Sequence, residues 1–158
     1  MTKRYDIAIF AAGCFWHVEE EFAKVIGITD TEVGYTGGNV KDPSYEQVSS
    51  GKTGHAEAIK IVFDPEKIIY SQLLDIFWRI HDPTSLNKQG EDIGTNYKSA
   101  IFYLNKQQHK EALQSKKDYG KIFKKPVVTE IKKAEVFYPA EEYHQRYFEK
   151  HQNIACKL

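Results

Sequence analysis

A short apolar strand that ends on glycine and passes at once into a helix opened by cysteine constrains this chain more than any other feature. Residues 5–13, Tyr-Asp-Ile-Ala-Ile-Phe-Ala-Ala-Gly, read as a buried strand, and residues 14–24 follow with helical periodicity and early acidic residues. The pair asks for a sheet with helices packed on it. It also puts Cys14 at the point where strand becomes helix.

The later segments extend that pattern. Residues 28–35 read as a second strand, followed by the Gly37-Gly38 turn and a loop carrying Pro43 and Tyr45. Residues 55–63 alternate as a strand, which sets Glu57 on one face with Ile59, Ile61 and Phe63. Asp64-Pro65 breaks that strand, and Ser71 is placed to cap a helix carrying Leu73, Leu74, Phe77 and Ile80 that stops before His81-Asp-Pro83. Residues 84–98 hold Gly90, Gly94 and few large apolar side chains; they read as one long loop, a length that commonly serves function. Residues 99–104 are strand-like, and Asn105 caps a polar helix running to Tyr119 with Gly120 just beyond. Residues 127–131 form a strand and residues 140–151 a final helix. The irregular spacing predicts an α+β fold: a two-layer α/β sandwich with a mixed sheet and a ferredoxin-like plait core, not a doubly wound parallel sheet.

Length and charge limit what such a sheet can serve. A chain of 158 residues fits one domain, since a core of that size buries roughly 70% of the surface of the unfolded chain. Lys+Arg and Asp+Glu are both 22, which removes a polyelectrolyte drive toward nucleic acid or anionic lipid and points to a small, specific ligand. The basic run Lys116, Lys117, Lys121, Lys124 and Lys125 reads as a solvated helix face. No signal-peptide core and no span of about 20 apolar residues is present, so the expectation is a cytoplasmic monomer that binds neither membrane nor nucleic acid. Cys14 and Cys156 are too few for a disulfide framework and lack the spacing of a zinc site, which predicts no metal and leaves redox or nucleophilic chemistry.

Cys14 is the candidate nucleophile. A helix N-terminus offers free N–H donors and about half a positive charge, which favours the reactive thiolate. Phe15 and Trp16 begin within a turn of the sulfur and are placed to wall an apolar pocket, to which Glu57, Tyr45 and Tyr97 could supply acid groups. Residue types alone leave several roles open. A lone cysteine is often structural, and paired aromatic residues are often core. Cys14 with His55 or His144 as base would suit a cysteine hydrolase, and a thiol redox sensor would need Cys14 without Glu57.

Seven blocks in order narrow the choice: Gly13-Cys-Phe-Trp16, Gly34-Tyr-Thr-Gly-Gly38, Pro43-Ser-Tyr-Glu-Gln-Val48, Thr53-Gly-His-Ala-Glu57, His81-Asp-Pro-Thr84, Gln89-Gly-Glu-Asp-Ile-Gly-Thr-Asn-Tyr97 and Tyr143-His-Gln145. Across residues 13–145 the chain resembles the A-type peptide methionine sulfoxide reductases. The resemblance implies an S-epimer-specific repair reductase acting on methionine sulfoxide, free or in oxidised proteins. Cys14 would attack the sulfoxide sulfur, Phe15 and Trp16 would hold the substrate methyl, Glu57, Tyr45 and Tyr97 would donate to the oxygen, and Asp92 would support them. Glu57 must then carry a proton at neutral pH, which needs a carboxyl pKa raised by desolvation and by a neighbouring thiolate. A Cys14 sulfenic acid, a Cys14–Cys156 disulfide and its reduction by thioredoxin, or by dithiothreitol in vitro, are implied in turn, with no bound cofactor. So is a single catalytic domain, 1–158, in which residues 152–158 form a mobile tail carrying Cys156. Ser49 stands where many relatives have another cysteine, Asn96 and Lys98 replace the usual Gln and Arg of Gly-Thr-Gln-Tyr-Arg-Ser, and the tail lacks the glycine that often precedes the recycling cysteine.

Overall fold

The computed structural model describes residues 3–151 of the chain. The first half runs β1 (Asp6–Ala12), α1 (Phe15–Ala23), β2 (Ile28–Thr36), α2 (Tyr45–Ser49), β3 (Ala56–Phe63) and α3 (Tyr70–Arg79). The second runs β4 (Lys88–Gln89), β5 (Asp92–Ile93), a 3-10 turn (Thr95–Tyr97), β6 (Ser99–Tyr103), α4 (Lys106–Gly120), β7 (Glu130–Lys133), β8 (Tyr138–Pro139), a second 3-10 turn (Glu142–His144) and α5 (Tyr147–Lys150).

β1 lies inside the main sheet, antiparallel to both β3 and β6, and from Ala8 to Ala12 its residues are apolar on both faces because neither face meets water there. The sheet order is β7-β6-β1-β3-β2-β8, with β7 parallel to β6 and the other neighbours antiparallel. The inner order β6-β1-β3-β2, built from the units β1-α1-β2 and β3-α3-β6, is the expected plait, and the parallel edge makes the sheet mixed. Phe10, Phe22, Ile59, Ile61, Phe63, Leu73, Leu74 and Phe77 fill the layer between sheet and helices, each contributing roughly 1.5–3 kcal/mol by burial. The opposite face carries small residues, Ala11, Ala56, Ala58 and Ala100 beside Ile9 and Phe102, so that Ala134 and Phe137 can lie close over it. Glu57 is on the helix face with Ile59, Ile61 and Phe63, as the alternation predicts.

Several local expectations change. Residues 45–49, expected within a loop, form α2, because Ser44 Oγ accepts the Gln47 N–H (3.2 Å) and Gln47 Oε1 accepts the Ser44 N–H (2.8 Å). The expected loop over 84–98 contains the β4–β5 hairpin and a 3-10 turn. It is tied down by Gln89, whose Oε1 accepts the Asp82 N–H (2.9 Å) while its Nε2 donates to the Asp82 carbonyl (2.6 Å). α3 begins at Tyr70 rather than after a Ser71 cap; Gln72 Oε1 accepts the Ile69 N–H (3.0 Å). β7 is displaced from 127–131 because Val128 N–H and the Thr129 carbonyl are taken by Pro83 and Lys116. The single helix expected over 140–151 is broken: Gln145 Oε1 accepts the Val33 N–H (2.9 Å), its Nε2 donates to the Val33 carbonyl (2.8 Å), and Arg146 then turns left-handed.

Candidate active site

The end of β1 has to turn sharply to present Cys14. Gly13 does so at φ +94, and a Cβ there would fall 2.9 Å from Gln89 Cγ, so only glycine permits both the turn and the approach of the hairpin. Cys14 occupies the N-cap of α1 without a side-chain capping bond, which leaves the Trp16 and His17 amides to face its sulfur. The Trp16 and His17 amides favour the thiolate. Burial first, and the Glu57 carboxylate second, outweigh them and push the Cys14 thiol up to about 12. The expectation of a thiolate favoured by the helix end is therefore corrected. A helix terminus is worth roughly 0.3–2 kcal/mol, less than the cost of withdrawing an anion from water beside a like charge.

Glu57 is 2% exposed, and both of its oxygens are engaged. Phe15 N–H donates to Oε1 (3.2 Å) and Asn96 Nδ2 donates to Oε2 (3.2 Å). Burial nonetheless dominates and raises the carboxyl to about 7, with those two hydrogen bonds pulling down and the Asp92 charge pushing up. Asn96, one of the departures from the family pattern, thus contacts the central carboxyl directly. Gly94 makes room for it, since a Cβ there would lie 2.5 Å from Asn96 Oδ1. Lys98, the other departure, points elsewhere, to the Gly54 carbonyl (3.4 Å) and Glu130 (3.3 Å).

Tyr45 opens α2, where its amide donates to Glu141 Oε2 (3.0 Å), while Tyr35, across the sheet from Glu57, donates its hydroxyl to Glu141 Oε1 (2.9 Å). Tyr97 closes the first 3-10 turn and Asp92 sits in β5. Burial raises both the Tyr45 and the Tyr97 phenols, and the charges of Glu57, Cys14 and Asp92 act on each in the same sense. Both phenols are therefore hydrogen-bond donors at neutral pH. Asp92, raised by burial and then by Glu91, shares with Cys14 a cleft of about 220 Å³ that also touches His17, His81 and Gln89. A larger hollow, of about 810 Å³, flanks Lys52 and Lys98 and contains none of the predicted site residues.

The aromatic pair divides its work. Phe15 is buried between Tyr35 (ring centroids 5.7 Å) and His144 (5.2 Å). Trp16 is half-buried, stacks flat on Tyr147 (3.8 Å, 7°) and donates Nε1–H to His144 Nδ1 (2.9 Å). That bond leaves the proton of the neutral imidazole on Nε2, which is buried without a partner among the described residues. Glu141 and Asn96 are not among the predicted site residues and His144 is one only as a possible hydrolase base, although His144 and Asn96 lie inside the seven blocks. Their roles arise from side chains meeting across 39 to 128 positions of sequence, which leaves no local periodicity to read.

Cys156 lies outside the described residues. His55 has both ring nitrogens occupied, accepting from Gly38 N–H (3.0 Å) and donating to the Val40 carbonyl (2.7 Å), and among the described residues no histidine hydrogen-bonds the Cys14 sulfur as a hydrolase base would. Among those residues there is also no group of three or more His, Cys, Asp or Glu that could hold a metal ion, and no helix long and apolar enough to cross a membrane.

Residues 6–158 match the family model for peptide methionine sulfoxide reductase. The chain is 50% identical over 158 residues to peptide methionine sulfoxide reductase MsrA of Methanothermobacter thermautotrophicus, covering 99% of this chain and 94% of that one. It superposes on the crystal structure of Mxr1 from Saccharomyces cerevisiae in reduced form with a TM-score of 0.92 at 34% identity, covering 97% of this chain and 89% of that one. Mxr1 in complex with Trx2 matches in fold, with a TM-score of 0.66 at 24% identity over 93% of this chain and 89% of that one.

Proposed function

Given that the chain belongs to the peptide methionine sulfoxide reductase family, we propose that it reduces methionine S-sulfoxide, free or within oxidised proteins, through a Cys14 sulfenic acid and a Cys14–Cys156 disulfide. It is a methionine sulfoxide reductase, an oxidoreductase; the proposal concerns how its own residues act. The observation that carries the reading is the buried Glu57 carboxyl held on the amide next to Cys14.

Sulfur attacks sulfur. The Cys14 sulfur bonds to the sulfoxide sulfur as the S–O bond breaks and the protonated oxygen departs as water. A water oxygen then bonds to the Cys14 sulfur as the S–S bond breaks, its electron pair leaving with the substrate as the thioether, a proton is lost, and Cys14 remains as the sulfenic acid. An oxygen leaving from sulfur must be protonated, and in this scheme one proton passed between Cys14 and Glu57 does this. At neutral pH it rests mostly on the sulfur. When Glu57 takes it, the pair presents a thiolate and a carboxylic acid at once, and Glu57 passes the proton to the departing oxygen. Tyr45 and Tyr97 donate to the same oxygen, Asp92 supports them, and Phe15 and Trp16 hold the methyl group. Cys156 then condenses with the sulfenic acid, releasing water, and a thioredoxin dithiol exchanges with the disulfide, so no bound cofactor is needed. The complex of Mxr1 with Trx2 supports a reductant of that type. In this scheme residues 1–158 act as one catalytic domain.

The one-proton form of the pair is the reactive one. The expected result is that kcat/KM rises as pH passes up through about 7, where the two-proton form loses the Glu57 proton, and holds level beyond, because the thiol keeps its proton to about 12. A single-turnover pH series checks this; a steady fall across neutrality would mean that the doubly protonated form reacts.

The assay that tests the function itself is turnover of the separated sulfoxide epimers with dithiothreitol. A site that fixes methyl, oxygen and chain around one sulfur accepts one hand, and the S form is the one expected to be reduced. Comparable rates on the R form would overturn the assignment.

A further inference from the structure

Glu19 is a buried carboxylate that none of the chemistry above uses. It lies one turn after Trp16 on α1, 2% exposed. Its Oε2 accepts from Thr31 Oγ1 (2.8 Å) and its Oε1 accepts from the Arg146 backbone N–H (2.6 Å). No cationic side chain among the described residues forms a salt bridge with it. The Arg146 guanidinium turns instead to Asp30 (3.2 Å) and Glu149 (3.6 Å). A carboxylate removed from water is costly unless both oxygens are hydrogen-bonded; these two donors offset part of that cost, and burial still raises the carboxyl.

The structure held by Glu19 is a strained turn. Arg146 sits at φ 51, ψ 44, a left-handed conformation that a side-chain-bearing residue keeps only where its surroundings impose it. From that turn α5 sets out and lays Tyr147 flat on Trp16, just after His144 has accepted the indole N–H. Trp16 and Glu19, three residues apart on one helix face, therefore grip the same short segment, 144–147. Gln145 is fastened separately to Val33, so loss of Glu19 would free the turn without releasing the segment from the sheet.

We propose that Glu19 is a positioning residue: by fixing the Arg146 turn it holds Tyr147 and His144 against Trp16, and so sets the indole at the angle at which it receives the substrate's methyl group. The inference rests on Trp16 as a wall of the substrate pocket.

The test uses Trp78→Phe protein, in which Trp16 is the sole tryptophan of the two in the chain. Trp78 lies on α3 against Tyr119, apart from the site. In that background Glu19→Ala is expected to change Trp16 emission, lower its anisotropy and raise KM for methionine sulfoxide about tenfold, with the single-turnover rate at saturation within about twofold of the parent. Glu19→Gln, which keeps an acceptor for the Arg146 N–H and can donate to Thr31 Oγ1, should restore both emission and KM. Unchanged emission together with unchanged KM in Glu19→Ala overturns the inference, whatever happens to Tm. Changed emission with unchanged KM overturns the reading of Trp16 as pocket wall, and the positioning role with it. Should Glu19→Ala fail to fold, Thr31→Val removes one of the two donors and is expected to give the same shifts at smaller size, their absence again overturning the proposal.

Discussion

Glu57→Gln is expected to bind methionine sulfoxide and to reduce it roughly 10²- to 10⁴-fold more slowly in a single turnover, the usual worth of a general acid. The amide has the shape of the carboxyl and can still accept the Phe15 N–H, so the start of α1 keeps its geometry, while the Asn96 amide turns over to present its oxygen to the new Nε2. It cannot deliver a proton to the leaving oxygen. A second measurement separates this loss from damage to the nucleophile. The Glu57 charge is one of the causes that hold the Cys14 thiol high, so removing it should lower that pKa and speed alkylation of Cys14 at a given pH. Faster alkylation with slower sulfoxide reduction is the expected pair of results. A variant that kept most of the single-turnover rate at neutral pH would remove Glu57 from the mechanism.

Cys156→Ser is expected to divide the reaction in two. Reduction of the sulfoxide needs only Cys14, whereas regeneration by thioredoxin needs a disulfide, so one equivalent of methionine should appear per enzyme in a rapid burst and turnover should then stop. The stalled protein should carry Cys14 as sulfenic acid, seen as a gain of about 16 mass units for one oxygen, or by trapping with dimedone. Thioredoxin should not rescue it efficiently, while a small thiol able to reach the sulfenic acid should do so slowly. Cys14→Ser should give no burst, because a hydroxyl is not ionised to any useful degree at neutral pH. Wild-type turnover of Cys156→Ser with thioredoxin would make the second cysteine incidental and leave the role of Cys14 untouched.

How far the site was legible varies from residue to residue. The α1 junction and the face of Glu57 could be read directly, since a strand of period two and a helix of period 3.6 write their buried faces into the local order of apolar residues. Asp92 could be named only through a resemblance, because the segment 84–98 has no periodicity. Its hairpin depends on Gln89 bridging to Asp82 and on the absence of a Cβ at Gly13 and Gly94. The last stretch, 140–151, has enough helical character to mislead. Gln145 and Arg146 spend their hydrogen bonds on Val33 and Glu19, more than a hundred positions away, and that long-range claim overrides local propensity.

The sequence by itself determined the sheet-and-helix alternation and the placing of Cys14 at a helix start, since each follows from neighbours within a few residues. Only the tertiary structure decided the protonation of the site. The same helix start that should favour a thiolate lies buried beside Glu57, and burial, followed by the Glu57 charge, raises the thiol instead. Burial and distance between residues 14 and 57 are properties of the folded chain, so no reading of either residue in its own stretch of sequence could have supplied the sign of the shift at Cys14.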